Sequence, residues 1–145
     1  PEGMQYKVQH SCSEHRSPTE CSSPGQYLRE RLTILFITSP AYAHPSTRLI
    51  EEVACSISLV PGLAECTKII IADGIKIFDE SAWKKGRVTE EYAARYEVYL
   101  RRLSVLSKRK GSPLEGAHLI HLHERHGFAH AVRRGLIRVK TRFVL

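Results

Sequence analysis

Leu32-Thr33-Ile34-Leu35-Phe36-Ile37, running into Thr38-Ser39-Pro40, is the stretch on which the fold turns. A strand with one wet face alternates apolar and polar residues, whereas this run is almost continuously apolar. That is the pattern of a strand buried on both faces, as in a parallel sheet covered by helices. Thr38-Ser39-Pro40 ends it as a turn.

Working outward, the same signature recurs. Lys68-Ile69-Ile70-Ile71-Ala72 is a second buried strand that closes on Asp73-Gly74, and Ala117-His118-Leu119-Ile120-His121-Leu122 is a short third. Phe143-Val144-Leu145 begins a fourth. Between the first two, His44-Pro45-Ser46-Thr47 is expected to open a helix, with Pro in the first turn and a hydroxyl as cap. Leu49, Ile50, Val53, Ile57 and Val60 would face inward, and Pro61-Gly62 would end it. Thr89 caps a long helix whose first turn holds Glu90 and Glu91, the polarity that suits the helix dipole. Its apolar face reads Val88, Tyr92, Tyr96, Tyr99/Leu100, Leu103 and Leu106. A last helix follows Arg125-His126-Gly127, with Phe128, Ala131/Val132, Gly135/Leu136 and Val139 at helical spacing.

The order is therefore β-α-β-α-β-α-β. Strands joined through helices need crossover connections, and these are right-handed. The expected product is an α/β fold: a Rossmann-like parallel sheet flanked by helices, with the Leu32–Ile37 strand central between the second and fourth. Residues 1–28 are rich in Ser, Pro, Glu, His and Cys without apolar period and read as a disordered lead-in. Residues 29–145 read as one partial α/β domain. Chemistry in such folds sits in the loops beyond the strands' C-terminal ends. The loop after the fourth strand would lie past Leu145, so the stretch reads as the binding half of a larger unit.

The composition narrows the classes. The net charge of +7 over 145 residues, carried largely by arginine, permits contact with phosphate without choosing its source. No apolar run approaches the ~18 residues that would span a bilayer. The four cysteines have no disulfide-framework spacing, and His10, Cys12, His15 and Cys21 match no zinc knuckle. The basic runs Lys84-Lys85-Gly86-Arg87 and Lys108-Arg109-Lys110 lack interleaved aromatics for stacking bases, Trp83 apart. They read as solvated loops, and no nucleic-acid partner is expected.

Three places could carry a ligand. Asp73-Gly74 puts a carboxylate at the tip of a buried strand, where it could accept from a ribose hydroxyl or base N–H; Asp-Gly is equally a common turn dipeptide. Thr38-Ser39-Pro40 and the following helix start could bind an anion through backbone amides, although neither G-x-G-x-x-G nor a P-loop is present. His126-Gly127 opens a helix where backbone could approach a ligand or the neighbouring strand. Histidines 118, 121, 123, 126 and 130 include the helical pair His126/His130, but no H-E-x-x-H motif accompanies it, and no metal site is expected within the chain.

On these residues the segment from about Leu32 to Leu145 resembles the nucleotide-binding half of GT-A glycosyltransferases of the family-2-like group. The first strand running into Thr38-Ser39-Pro40 is similar to that family's opening. Asp73 is similar to its strand-end aspartate, and the stretch from Arg125 through Gly135 to Leu145 to its glycine-initiated helix and following strand. The resemblance implies a nucleotide-diphospho-sugar donor held by Thr38, Ser39, Pro40, Asp73, Gly74, His126 and Gly127. It also implies a Mn or Mg ion on a D-x-D motif that would begin just after Leu145, and hence that the chain by itself is inactive. Ile75-Lys76-Ile77 departs from the polar run that the family usually places after the aspartate. The residues themselves leave open another Rossmann-like nucleotide-binding module, or a non-enzymatic interaction protein; acceptor and compartment stay unassigned.

Overall fold

A computed structural model describes residues 24–77 and 88–145. Helix α1 (Pro24–Arg31) passes directly into β1 (Leu32–Thr38), followed by α2 (Arg48–Ser58), β2 (Thr67–Ala72), α3 (Glu90–Lys108), β3 (His118–His121), α4 (Phe128–Leu136) and β4 (Phe143–Val144). The four strands form one sheet in the order β3-β2-β1-β4, and every pairing is parallel. The fold is the α/β, Rossmann-like arrangement expected, with β1 between β2 and β4.

Alternation along the central strands explains their continuous apolar runs. Ile34, Phe36, Ile70 and Ala72 point to one face and pack with Ala54 of α2 and Tyr96, Leu100 and Leu103 of α3. Ile69 and Ile71 point to the other face and meet Ala131 of α4, with Leu35 and Ile37 beside them. Each face of β2 thus serves a separate core, which a strand of period two does only when helices lie on both sides. Helices α1 to α3 cover one face, and among the described residues α4 alone covers the other.

Two helices, α2 and α4, differ in detail from expectation. Helix α2 begins at Arg48, so Pro45 lies outside it; Thr47 makes no side-chain cap bond but donates from Oγ1 to Glu51 Oε1 at 2.6 Å. Its inward arc is Ile50, Ala54 and Ile57. Leu49 is 71% exposed, and Val53 and Val60 also reach solvent, because the arc next to the sheet-facing one meets no neighbouring element. Helix α3 starts as expected, with Thr89 Oγ1 accepting from the Tyr92 N–H at 3.4 Å, and buries Tyr96, Tyr99, Leu100, Leu103 and Leu106. Helix α4 turns its small residues inward: Ala131 and Gly135 are buried, whereas Phe128 and Leu136 are exposed. A Cβ on Gly135 would lie 2.6 Å from a Leu35 methyl, so glycine lets this helix lie close on the sheet. The lead-in expected over residues 1–28 meets α1 at Pro24–Leu28; residues 1–23 and the basic loop at Trp83–Arg87 lie outside the described residues.

Candidate functional site at the strand tips

Strand β2 ends at Ala72, and Asp73 follows it into the sheet's C-terminal edge. There the Asp73 N–H donates to the Thr38 carbonyl at 2.8 Å, joining the tips of β1 and β2. The Asp73 carbonyl accepts from the Tyr96 hydroxyl at 3.0 Å. Its carboxylate turns toward the start of α4. Oδ1 accepts from the Gly74 N–H at 3.0 Å and the His126 N–H at 3.2 Å, and Oδ2 accepts from the Gly127 N–H at 3.1 Å.

Asp73 is therefore a brace between β2 and α4. It is 2% exposed, whereas the ligand role pictured for it needs an open carboxylate. The helix start that could have offered amides to a phosphate offers two of them to Asp73, a favourable pairing of negative charge with the positive end of the helix dipole. Gly127, the residue before α4, takes φ 87, a left-handed conformation that glycine adopts without strain. Gly74 is required for a different reason: a Cβ there would lie 2.2 Å from the Glu124 carbonyl carbon. The β2 exit and the β3 exit run against each other at this point, with Ile75 bridged to Glu124.

The structure thus brings Thr38, Asp73, Gly74, His126 and Gly127 together through direct bonds. Ser39 and Pro40 sit apart from the carboxylate, on the β1 exit. Their neighbour is His44, whose Nε2–H donates to the Ser39 carbonyl at 3.0 Å. The His44 ring lies 3.9 Å from that of Tyr99, centroid to centroid, and Tyr99 shares a 3.1 Å hydroxyl–hydroxyl bond with Thr38. Burial drives the His44 pKa below its ordinary value, against the opposing pull of the Ser39 carbonyl. Burial likewise pushes the phenols of Tyr96 and Tyr99 upward, so both stay protonated donors. His44 Nδ1 is buried without a hydrogen-bond partner. In the sequence Tyr96 and Tyr99 stand out only as part of the apolar face of α3. Their spacing of three on a buried face was the available signal, since a buried tyrosine hydroxyl seeks a polar partner.

A cleft of about 880 Å3 opens elsewhere, beside the β1–α2 connection, lined by residues that include Pro45, Arg48, Cys55, Arg102 and Pro113. None of the seven expected site residues lines it. The His126 and His130 rings lie 4.3 Å apart, but among the described residues no three His, Cys, Asp or Glu side chains gather to hold a metal. Compared with protein-family models, curated proteins and solved structures, the chain matches none.

Proposed function

We propose that this chain is the nucleotide-binding half of a GT-A-like glycosyltransferase, taking a nucleotide-diphospho-sugar at the C-terminal edge of its sheet. The observation that supports the reading is the strand order. From β1 the chain steps to β2 and β3 on one side, then returns to β4 on the other. The strand order thus reverses between β1 and β4, and a crevice at such a switch point is where open α/β sheets hold ligands. Thr38, Ser39 and Pro40 are the β1 side of that crevice.

Within this reading Asp73 has a positioning role. A carboxylate has about four acceptor positions, and three amides already occupy Asp73. It fixes the β2–α4 corner, leaving the exposed backbone of Ser39 to meet the nucleoside.

Calorimetric titration of UDP, GDP and a nucleotide-sugar, with and without manganese, tests the proposal. A Ser39→Trp variant fills the β1 side of the crevice from an exposed position. Its folding, checked by circular dichroism, should be unchanged while nucleotide affinity falls at least about tenfold, or 1.4 kcal/mol. Absence of binding by the wild type, or equal binding by the variant, would overturn it. Preference for a dinucleotide over every nucleotide-sugar would replace it with a different nucleotide-binding module.

A further inference from the structure

The helices on one face of the sheet carry both signs of charge, whereas the segment that holds α4 carries cations alone. From Arg125 to Leu145 the sequence contains no Asp or Glu. That segment supplies α4, the one helix that covers its face among the described residues. Glu51 and Glu52 belong to α2 and Glu90, Glu91 and Glu97 to α3, both on the opposite face.

At about 100° per residue, Ala131 and Gly135 point at the sheet, and the outer arc of the helix runs through Leu136, Arg133, Ile137 and Arg134. Ile137 keeps helical angles as the residue after α4, so it continues this arc. On this arc Ile137 is 65% exposed and Leu136 close to half exposed. Arg133, Arg134, Arg138, Lys140 and Arg142 are all exposed, and none forms an ion pair among the described residues. Unpaired cations interspersed with bare aliphatic side chains do not suit water alone.

We infer that the α4 face docks on the surface of an anionic phospholipid bilayer. The arginines meet lipid phosphates, which guanidinium binds in bidentate fashion, and Leu136 and Ile137 enter the headgroup boundary. Nucleic acid would account for the arginines but not for the branched aliphatic residues among them, since single strands are held by stacked aromatics. This docking needs no spanning segment: among the described residues no helix is long and apolar enough to cross a membrane.

Sedimentation of the full chain with vesicles decides the matter. Vesicles of phosphatidylcholine containing phosphatidylserine should carry the protein down, and pure phosphatidylcholine vesicles should leave it in solution. Each basic residue near an anionic surface contributes about fivefold in affinity. The exposed triple variant Arg133→Gln/Arg134→Gln/Arg138→Gln should therefore bind about a hundredfold more weakly. Leu136→Ser/Ile137→Ser should also weaken binding while leaving the electrostatic preference intact; circular dichroism checks the fold of both. Equal binding to the two vesicle types, an unaffected triple variant, or displacement of the protein from vesicles by stoichiometric single-stranded RNA would overturn the inference.

Discussion

Replacing Asp73 by alanine removes the acceptor of three backbone N–H groups at once: Gly74, His126 and Gly127, at 3.0, 3.2 and 3.1 Å. A hydrogen bond to a charged group contributes about 1.5–3 kcal/mol, and a donor left unsatisfied in a buried site costs a similar amount. The three do not add fully. His126 is exposed and Gly127 partly so, and water can reach their amides once the carboxylate is gone. Loss of a good helix cap alone costs about 0.5–2 kcal/mol. Together these place Asp73→Ala at roughly 2–4 kcal/mol less stable than wild type. That is a large part of the ~5–15 kcal/mol available to a domain. With a urea slope of about 2 kcal/mol per molar, the midpoint should fall by about 1–2 M. Asp73→Asn keeps one acceptor oxygen but turns an amide donor toward another donor, and should lose about half as much. Urea titration followed by far-ultraviolet circular dichroism reads both. An alanine variant within about 0.5 kcal/mol of wild type would show that the carboxylate does not brace the β2–α4 corner.

Other outcomes follow from the same geometry. Gly74→Ala forces a methyl against Glu124 backbone at 2.2 Å and should cost about 3 kcal/mol or more, while Gly135→Ala meets mainly the flexible end of Leu35 at 2.6 Å and gains helix propensity of about 1 kcal/mol. Thermal melts of the two should differ widely; similar melts would contradict the close approach at Gly74. Tyr96→Phe strips the hydroxyl that bonds the Asp73 carbonyl and should destabilise by about 1–2 kcal/mol, measurable in the same urea titration. His44 has a folded-state pKa below its ordinary value of 6.5 because burial disfavours the charged ring. The unfolded chain therefore binds more protons, and its share of stability declines as pH falls through 6.5 toward the lower folded value. His44→Phe keeps a ring against Tyr99 and cannot titrate, so the melting-temperature gap between wild type and variant should shift in the wild type's favour from pH 5 to 8; a constant gap would exclude His44 as the source.

The architecture was legible because burial on two faces leaves its mark on every second residue. Ile69 and Ile71 serve one core and Ile70 and Ala72 the other, and only a covered parallel sheet needs all four apolar. The tips of the strands were legible in position. What Asp73 touches was not, because its partners His126 and Gly127 lie 53 and 54 residues away and present backbone amides, which no side-chain pattern advertises. Helix α2 misled for a related reason. Leu49 and Val53 obey helical spacing as well as Ile50 and Ile57 do, and only the placement of the sheet decides which arc is covered.

The crossover from β3 to β4 also bears on the order in which the molecule assembles and comes apart. Thr33 and Thr141, 108 positions apart in the chain, share a hydroxyl–hydroxyl bond at 2.8 Å beside the β1–β4 pair. Contacts of such sequence separation carry a larger loop-closure cost than those between neighbouring elements. The β1–β2–β3 sheet with α2 and α3 can condense first, and α4 with β4 then arrives as a separate cooperative unit. That unit should also open at lower free energy than the rest of the sheet, with Asp73 as its latch. The His126 and Gly127 amides belong to no ladder of their own, so their hydrogen exchange reports the latch directly. They should exchange in step with α4 and well before the amides of Ile70 and Ile71.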